Sequence, residues 1–268
     1  MCTADSRGNN LVFGPVLSRR LRRSLGVSLV PYKLCSLDCV YCRIGRTTHT
    51  TIMRDVYRDF AEIAAEVSKR LSFEPDYITL TGAGDPALHA QLNQVIQHIR
   101  TLTDVPIAIL TSGALFWRAD VRAEALDADL VLASLDAGDN ATLSAVNRPH
   151  HRVAIDDIIE GLMRFRRAFH GPLRLTVTLV SGINDTPQSV ERIRRALDRI
   201  SPEKVYLDTV SQCAIDETVP SVTLDQLHAV AEYLGANVEV IAEAPSLDLA
   251  SRPAAVGAGH GQEFAIDR

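Results

Sequence analysis

Polar and apolar positions in this chain of 268 residues alternate between two rhythms. Short runs rich in β-branched residues recur, each followed by a longer stretch with helical spacing, as a parallel α/β fold requires. Residues 27–30 read as a first strand. Residues 54–72 read as a helix, because Phe60, Ile63, Ala64, Val67 and Leu71 fall on one helical face. Further strands are predicted at 77–80, 107–110, 130–133, 173–180 and 205–207, with a last short one at 238–241. Helices are predicted at 91–102, 119–126, 155–169, 189–200 and 223–234. These six βα units are too few for an eight-unit barrel, so the expected fold is α/β, a partial (β/α)6 TIM-like barrel. It is expected to occupy residues 11–242. The tail, 243–268, is rich in Ala, Gly, Pro and Ser without periodicity and reads as mobile or loosely docked.

Composition narrows the setting. Hydrophobic residues make up 46% and charged residues 23%, as in a soluble globular protein. No apolar run has the length of a membrane span, and residues 1–10 lack the apolar core of a signal peptide. A cytoplasmic location is expected, where thiols stay reduced. The net charge of −5 gives no global attraction to nucleic acid. The one strong charge cluster is Arg19-Arg20-Leu21-Arg22-Arg23. It reads as a solvated or acid-paired face, with phosphates of RNA or a nucleotide as the alternative. No aromatic stacking platform accompanies it, which favours the first use.

Chemistry enters with Cys35-Ser36-Leu37-Asp38-Cys39-Val40-Tyr41-Cys42, a C-x3-C-x2-C run. Thiolates this close can share one metal centre, and they are the usual ligands of iron–sulfur clusters. Three ligands on a four-iron cluster leave one iron open, and an open position marks a reactive site. Zinc would want a fourth Cys or His, and the nearest is His49, seven residues beyond Cys42. A disulfide framework does not suit five cysteines.

Ligand sites of parallel α/β folds lie beyond the carboxyl ends of the strands. The cysteine run follows the first predicted strand. Gly82-Ala83-Gly84-Asp85-Pro86 follows the second, Ser112 the third, Ser134 and Asp136 the fourth, and Asn184 the fifth; Cys213 lies just past the sixth. Gly82 and Gly84 permit close approach of backbone to a ligand. Ser134 and Asp136 suit ribose hydroxyls, and Asn184 offers both donor and acceptor. Arg148, within Asn147-Arg148-Pro149, can fork onto a carboxylate or stand as a solvated loop arginine. Cys213 reads as a small buried hydrophobe, or as a hydrogen-atom donor at the mouth. His150 and His151 read as lining the open end of the barrel or as surface residues.

The cysteine run, with Tyr41 as its aromatic, resembles the signature of radical S-adenosylmethionine (radical SAM) enzymes. Phe13–Arg20, Ser24-Leu25-Gly26, Gly45-Arg46-Thr47, Gly84–His89, Ser134–Ala137, Asn147–His150 and Gly182–Asp185 are similar to a small bacterial and archaeal subgroup. Its core is similar to that of wyosine-type tRNA-modifying enzymes. The resemblance spans about residues 11–210. It implies a [4Fe-4S] cluster on Cys35, Cys39 and Cys42, with S-adenosylmethionine on the fourth iron. It also implies cofactor contacts from Tyr41, Gly82, Gly84, Asp85, Ser112, Ser134, Asp136, Asn147, Arg148 and Asn184. Reduced flavodoxin or ferredoxin would supply the electron, and cleavage would give methionine and a 5′-deoxyadenosyl radical that abstracts hydrogen from a substrate. RNA or nucleotide modification and a non-catalytic iron–sulfur protein are the competing functions. Two departures stand out. Gly84-Asp85-Pro86-Ala87 replaces the subgroup's Gly-Glu-Pro-Thr, and Leu207-Asp208-Thr209 lacks the following Arg-Pro. Only Cys2 and Cys213 remain beyond the motif, too few for the second cluster of wyosine-type enzymes.

Overall fold

The computed structural model describes residues 10–210 and 218–241. Strand β1 (Val12–Ser18) turns back into β2 (Arg22–Ser28). Two short pairing segments, β3 (Leu34–Cys35) and β4 (His49–Thr50), flank the cysteine loop. Helix α1 (Phe60–Ser68) then begins the regular alternation: β5 (Tyr77–Thr81), α2 (Leu92–Arg100), β6 (Ile107–Thr111), α3 (Ala119–Ala125), β7 (Leu130–Ser134). Helices α4 (Asn140–Val146) and α5 (Ile155–Ala168) precede β8 (Leu173–Leu179), followed by α6 (Pro187–Ile200), β9 (Lys204–Thr209), α7 (Leu224–Leu234) and β10 (Val238–Val240).

Eight strands form one sheet in the order β1-β2-β5-β6-β7-β8-β9-β10. Every neighbouring pair is parallel except β1 with β2. The sheet is therefore a partial barrel of (β/α)6 type with an antiparallel edge strand. No helix among the described residues is long and apolar enough to cross a membrane.

The period of two along each strand divides the sheet into two faces. Leu25, Val27, Ile78, Leu80, Ile107, Ile109, Val131, Leu175, Val177, Val205 and Leu207 pack into one core with helix residues such as Ile63, Val95, Ile99, Ile158 and Ile193. The alternate positions face inward. There Leu21, Ala108, Leu130, Leu132, Tyr206 and Ile241 form a separate small cluster. The inner face is concave, because Arg20 at the β1–β2 turn donates to the Thr176 hydroxyl on β8 at 3.1 Å.

Local sequence explains the element ends. Asp59 caps α1 by accepting from Ala61 and Glu62 N–H, so the helix begins there and not at residue 54. The stretch before it serves another purpose: buried Arg54 holds Asp120 at 3.0 Å and Glu124 at 2.7 Å on α3. Thr223 and Gln226 form a capping box on α7. The arginine run is also occupied within the chain: Arg19 donates to the Ile241 carbonyl, Arg20 to Thr176 and Arg23 to the Phe73 carbonyl.

Candidate radical SAM site

The cysteine loop leaves the carboxyl end of β2 and is pinned on two sides by main-chain bonds. On one side, Lys33 N–H donates to the Ala83 carbonyl at 2.6 Å and Asp85 N–H to Leu34 at 3.2 Å. On the other, Asp38 N–H donates to the Asn147 carbonyl, Val40 N–H to Val146 and His150 N–H to Ser36, each at 2.9 Å. Asp38, buried within the loop, gathers it further. Its carboxylate accepts from Thr47 N–H and from Arg46 Nε, both at 2.7 Å, and lies 3.7 Å from Arg148 Nη1. The sequence signal for this role is an acid between two cysteines, Asp38 between Cys35 and Cys39.

Cys35, Cys39 and Cys42 are half-buried on this loop with no disulfide. Burial pushes the Cys35 thiol up to about 12, reinforced by the Asp85 carboxylate. Burial, then Asp136, also raises Cys39, and burial raises Cys42. Each sulfur nonetheless faces N–H groups that favour its ionised form. Those of Leu37 and Ser36 serve Cys35, those of Ile44 and Gly45 serve Cys42, and the Asn147 amide serves Cys39. Among the described residues no three ligating side chains converge on one point, as a single ion would need. A four-iron cluster takes each sulfur on a different iron. Three desolvated thiols facing N–H dipoles fit such a cluster, whose positive charge would offset their burial.

Beneath the loop lies Asp136, 2% exposed. One oxygen accepts from Thr178 N–H at 2.7 Å; the other accepts from Asn147 Nδ2 at 2.8 Å and from the Tyr41 hydroxyl. Burial raises the Asp136 pKa while these three donors oppose the shift. Burial and the Asp136 charge also raise Tyr41.

Several residues expected to contact the cofactor have hydrogen-bond partners within the protein. Asp136 has each oxygen bonded to protein donors and so anchors the loop. Asn184 is fully buried: its Nδ2 donates to the Asp136 and Thr178 carbonyls at 2.9 Å, and its Oδ1 accepts from Val180 N–H at 2.7 Å. It ties the β8 turn to the end of β7. Asp85 is likewise buried, accepting from Ala87 N–H at 3.0 Å, the Thr111 hydroxyl at 2.8 Å and Ser112. That bond also occupies the Ser112 hydroxyl. The glycines serve chain packing. A Cβ on Gly82, at φ +124°, would meet Ser28 Oγ at 2.3 Å, and one on Gly84 would meet the Leu34 carbonyl at 1.9 Å. Gly84 permits close approach to the cysteine loop, and Gly82 to the end of β2.

Tyr41 and Asn147 meet at Asp136. Arg148, at φ +42°, is half-exposed beside Asp38. It borders a cleft of about 430 Å³ that His150, His151 and Asn140 also line. The hydroxyl of Ser134, half-buried at the end of β7, makes no hydrogen bond among the described residues. Cys213 lies outside the described residues, as does the predicted tail.

Residues 29–197 match the Radical SAM superfamily. The chain is 34% identical over 238 residues to a protein of Brachyspira hyodysenteriae named GTPase Obg, covering 88% of this chain and 35% of that protein. It is 37% identical over 203 residues to a UPF0026 protein of Methanocaldococcus jannaschii, covering 74% of this chain and 63% of the relative. This chain therefore spans from about a third to somewhat under two thirds of these two relatives. In three dimensions it resembles TYW1 with a lysine–pyruvate adduct bound, with a TM-score of 0.61 and 14% identity over 80% of this chain and 74% of that one. At that identity the likeness is one of fold. With the cysteine loop at the carboxyl end of a partial barrel and the family match over its core, the chain belongs to the radical SAM superfamily.

Proposed function

We propose that this protein is a radical SAM enzyme that holds a [4Fe-4S] cluster on Cys35, Cys39 and Cys42 and acts on a polar substrate inside the barrel. The observation that carries this reading is the placement of three N–H-facing thiols on one pinned loop above the open inner face. When bound, cluster and S-adenosylmethionine supply a 5′-deoxyadenosyl radical that takes a hydrogen atom from the substrate.

The chain's own residues do the rest. Ser134 offers a hydroxyl to the nucleoside part of S-adenosylmethionine. Below the mouth, Thr81, Thr178 and Asp208 sit at inward positions and suit a substrate with hydroxyl or amine groups. The Leu21 cluster closes the floor and keeps water from entering there. Lys33, Arg43, Arg46, Arg148 and Arg152 flank the cysteines in a chain of net charge −5. This local positive charge suits an acidic one-electron donor such as reduced flavodoxin or ferredoxin. The competing RNA reading loses support because Arg19, Arg20 and Arg23 are engaged within the chain.

The test is formation of 5′-deoxyadenosine by the anaerobically reconstituted protein with dithionite and S-adenosylmethionine, beside a Cys39→Ala control. Formation by the native protein alone supports the reading. An intact cluster with no formation, and no spectral response to S-adenosylmethionine, would favour a non-catalytic cluster protein.

A further inference from the structure

The geometry points to Asn147 as a positioning residue that raises the reduction potential of the cluster by donating its side-chain amide to the Cys39 sulfur. This inference rests on the reading above. Nδ2 of Asn147 lies 3.3 Å from Cys39 Sγ and 2.8 Å from Asp136 Oδ2. An amide nitrogen carries two N–H donors, one for each of these acceptors. The orientation of the amide follows from its neighbours. Asp136 accepts from Thr178 N–H and the Tyr41 hydroxyl, so the nitrogen and not the oxygen is assigned to face it. That orientation presents the second N–H to sulfur.

The donor is held on every side. Asn147 is 2% exposed and caps α4, its N–H donating to Leu143 at 2.8 Å. Its carbonyl accepts from Asp38 inside the cysteine loop. Asp136 is fixed in turn by Thr178 N–H and Tyr41. Tyr41 also lies against Cys39, but a phenol has one O–H and Asp136 receives it. Asn147 therefore supplies the side-chain proton to this sulfur.

Reduction adds negative charge to a cluster, and part of that charge resides on the ligand sulfurs. A fixed N–H pointing at one of them stabilises the reduced form more than the oxidised form. Burial of Asn147 strengthens the effect, because its amide dipole acts through a low local dielectric. A carboxylate so near a cluster would by itself oppose reduction. The same amide that binds Asp136 places its second N–H dipole on the cluster side of that charge.

The experiment is an EPR-monitored redox titration of the reconstituted full chain, native and Asn147→Leu. Leucine nearly keeps the volume and removes the donor. At the native midpoint the variant is expected to show about a tenfold lower ratio of reduced to oxidised cluster, a 59 mV shift for one electron. Titration of an intact variant cluster at the native potential overturns the inference. Should the variant fail to fold, pulsed EPR of the native protein labelled with 15N-asparagine decides. A 15N coupling to the reduced cluster supports the donor, and its absence overturns it. Failure of native protein to assemble a four-iron cluster is a separate result and overturns the underlying reading instead.

Discussion

At the amino end of the parallel strands, Leu21 from the β1–β2 turn packs against Ala108, Leu130, Leu132 and Tyr206. At the carboxyl end, Asp136 collects Tyr41, Asn147 and Thr178 from three separate segments. Both residues are buried and both join distant parts of the chain. Leu21 does so by excluding water, which tolerates small shifts in neighbouring atoms. Asp136 does so by directional hydrogen bonds, which fix atoms to within a few tenths of an ångström. A floor needs only to be sealed, whereas a loop presenting three sulfurs must be held in register.

That contrast is open to breaking. Asp136→Ala leaves three buried donors unpaired, each costing about 1–3 kcal/mol. Cluster-free protein is expected to lose about 3 kcal/mol or more in urea denaturation, with iron loading lost as well. Leu21→Ala is expected to cost about 2–4 kcal/mol through the cavity it leaves, yet to load iron and sulfide normally. Equal loss of cluster in both variants would erase the distinction between the ends. Gly84→Ala sharpens it, because its Cβ would strike the Leu34 carbonyl beside Cys35. Thermal stability should fall by about 1–3 kcal/mol, with iron stoichiometry falling more than in Leu21→Ala. The smallest effect belongs to the rim. Hydrogen bonds from Arg118 and then Arg54 hold Asp120 well below the usual carboxylate range. A depressed native pKa contributes stability above the unfolded value and loses it as pH falls. Stability should therefore decline below about pH 4, and Asp120→Asn should flatten that decline without touching cluster binding.

Most strands were legible because parallel strands buried on both faces write themselves as apolar runs, as residues 107–110 and 130–133 do. Strand β1 was missed because Gly14-Pro15 interrupts it and its register shifts between Phe13 and Val16. Helix α4 was missed because Asn140–Val146 is seven residues long and carries no charged residue in its span. The predicted helix from residue 54 ran too far because nothing local shows that Arg54 reaches α3. At the site, residue types marked the right end of the barrel but not the partner of each group. That Asp136 also anchors the loop emerges only when Thr178, 42 positions away, is seen to donate to one carboxylate oxygen. Hydrogen-bond partners so distant in sequence leave no periodic trace.

The sheet described here ends at β1 on one side and β10 on the other, and Arg19 in the β1–β2 turn reaches across to the Ile241 carbonyl just past β10. That single hydrogen bond ties the two outermost strands of the described sheet where no ladder joins them. Separating those edges would break it and uncover Leu21 and Ile241 beside it.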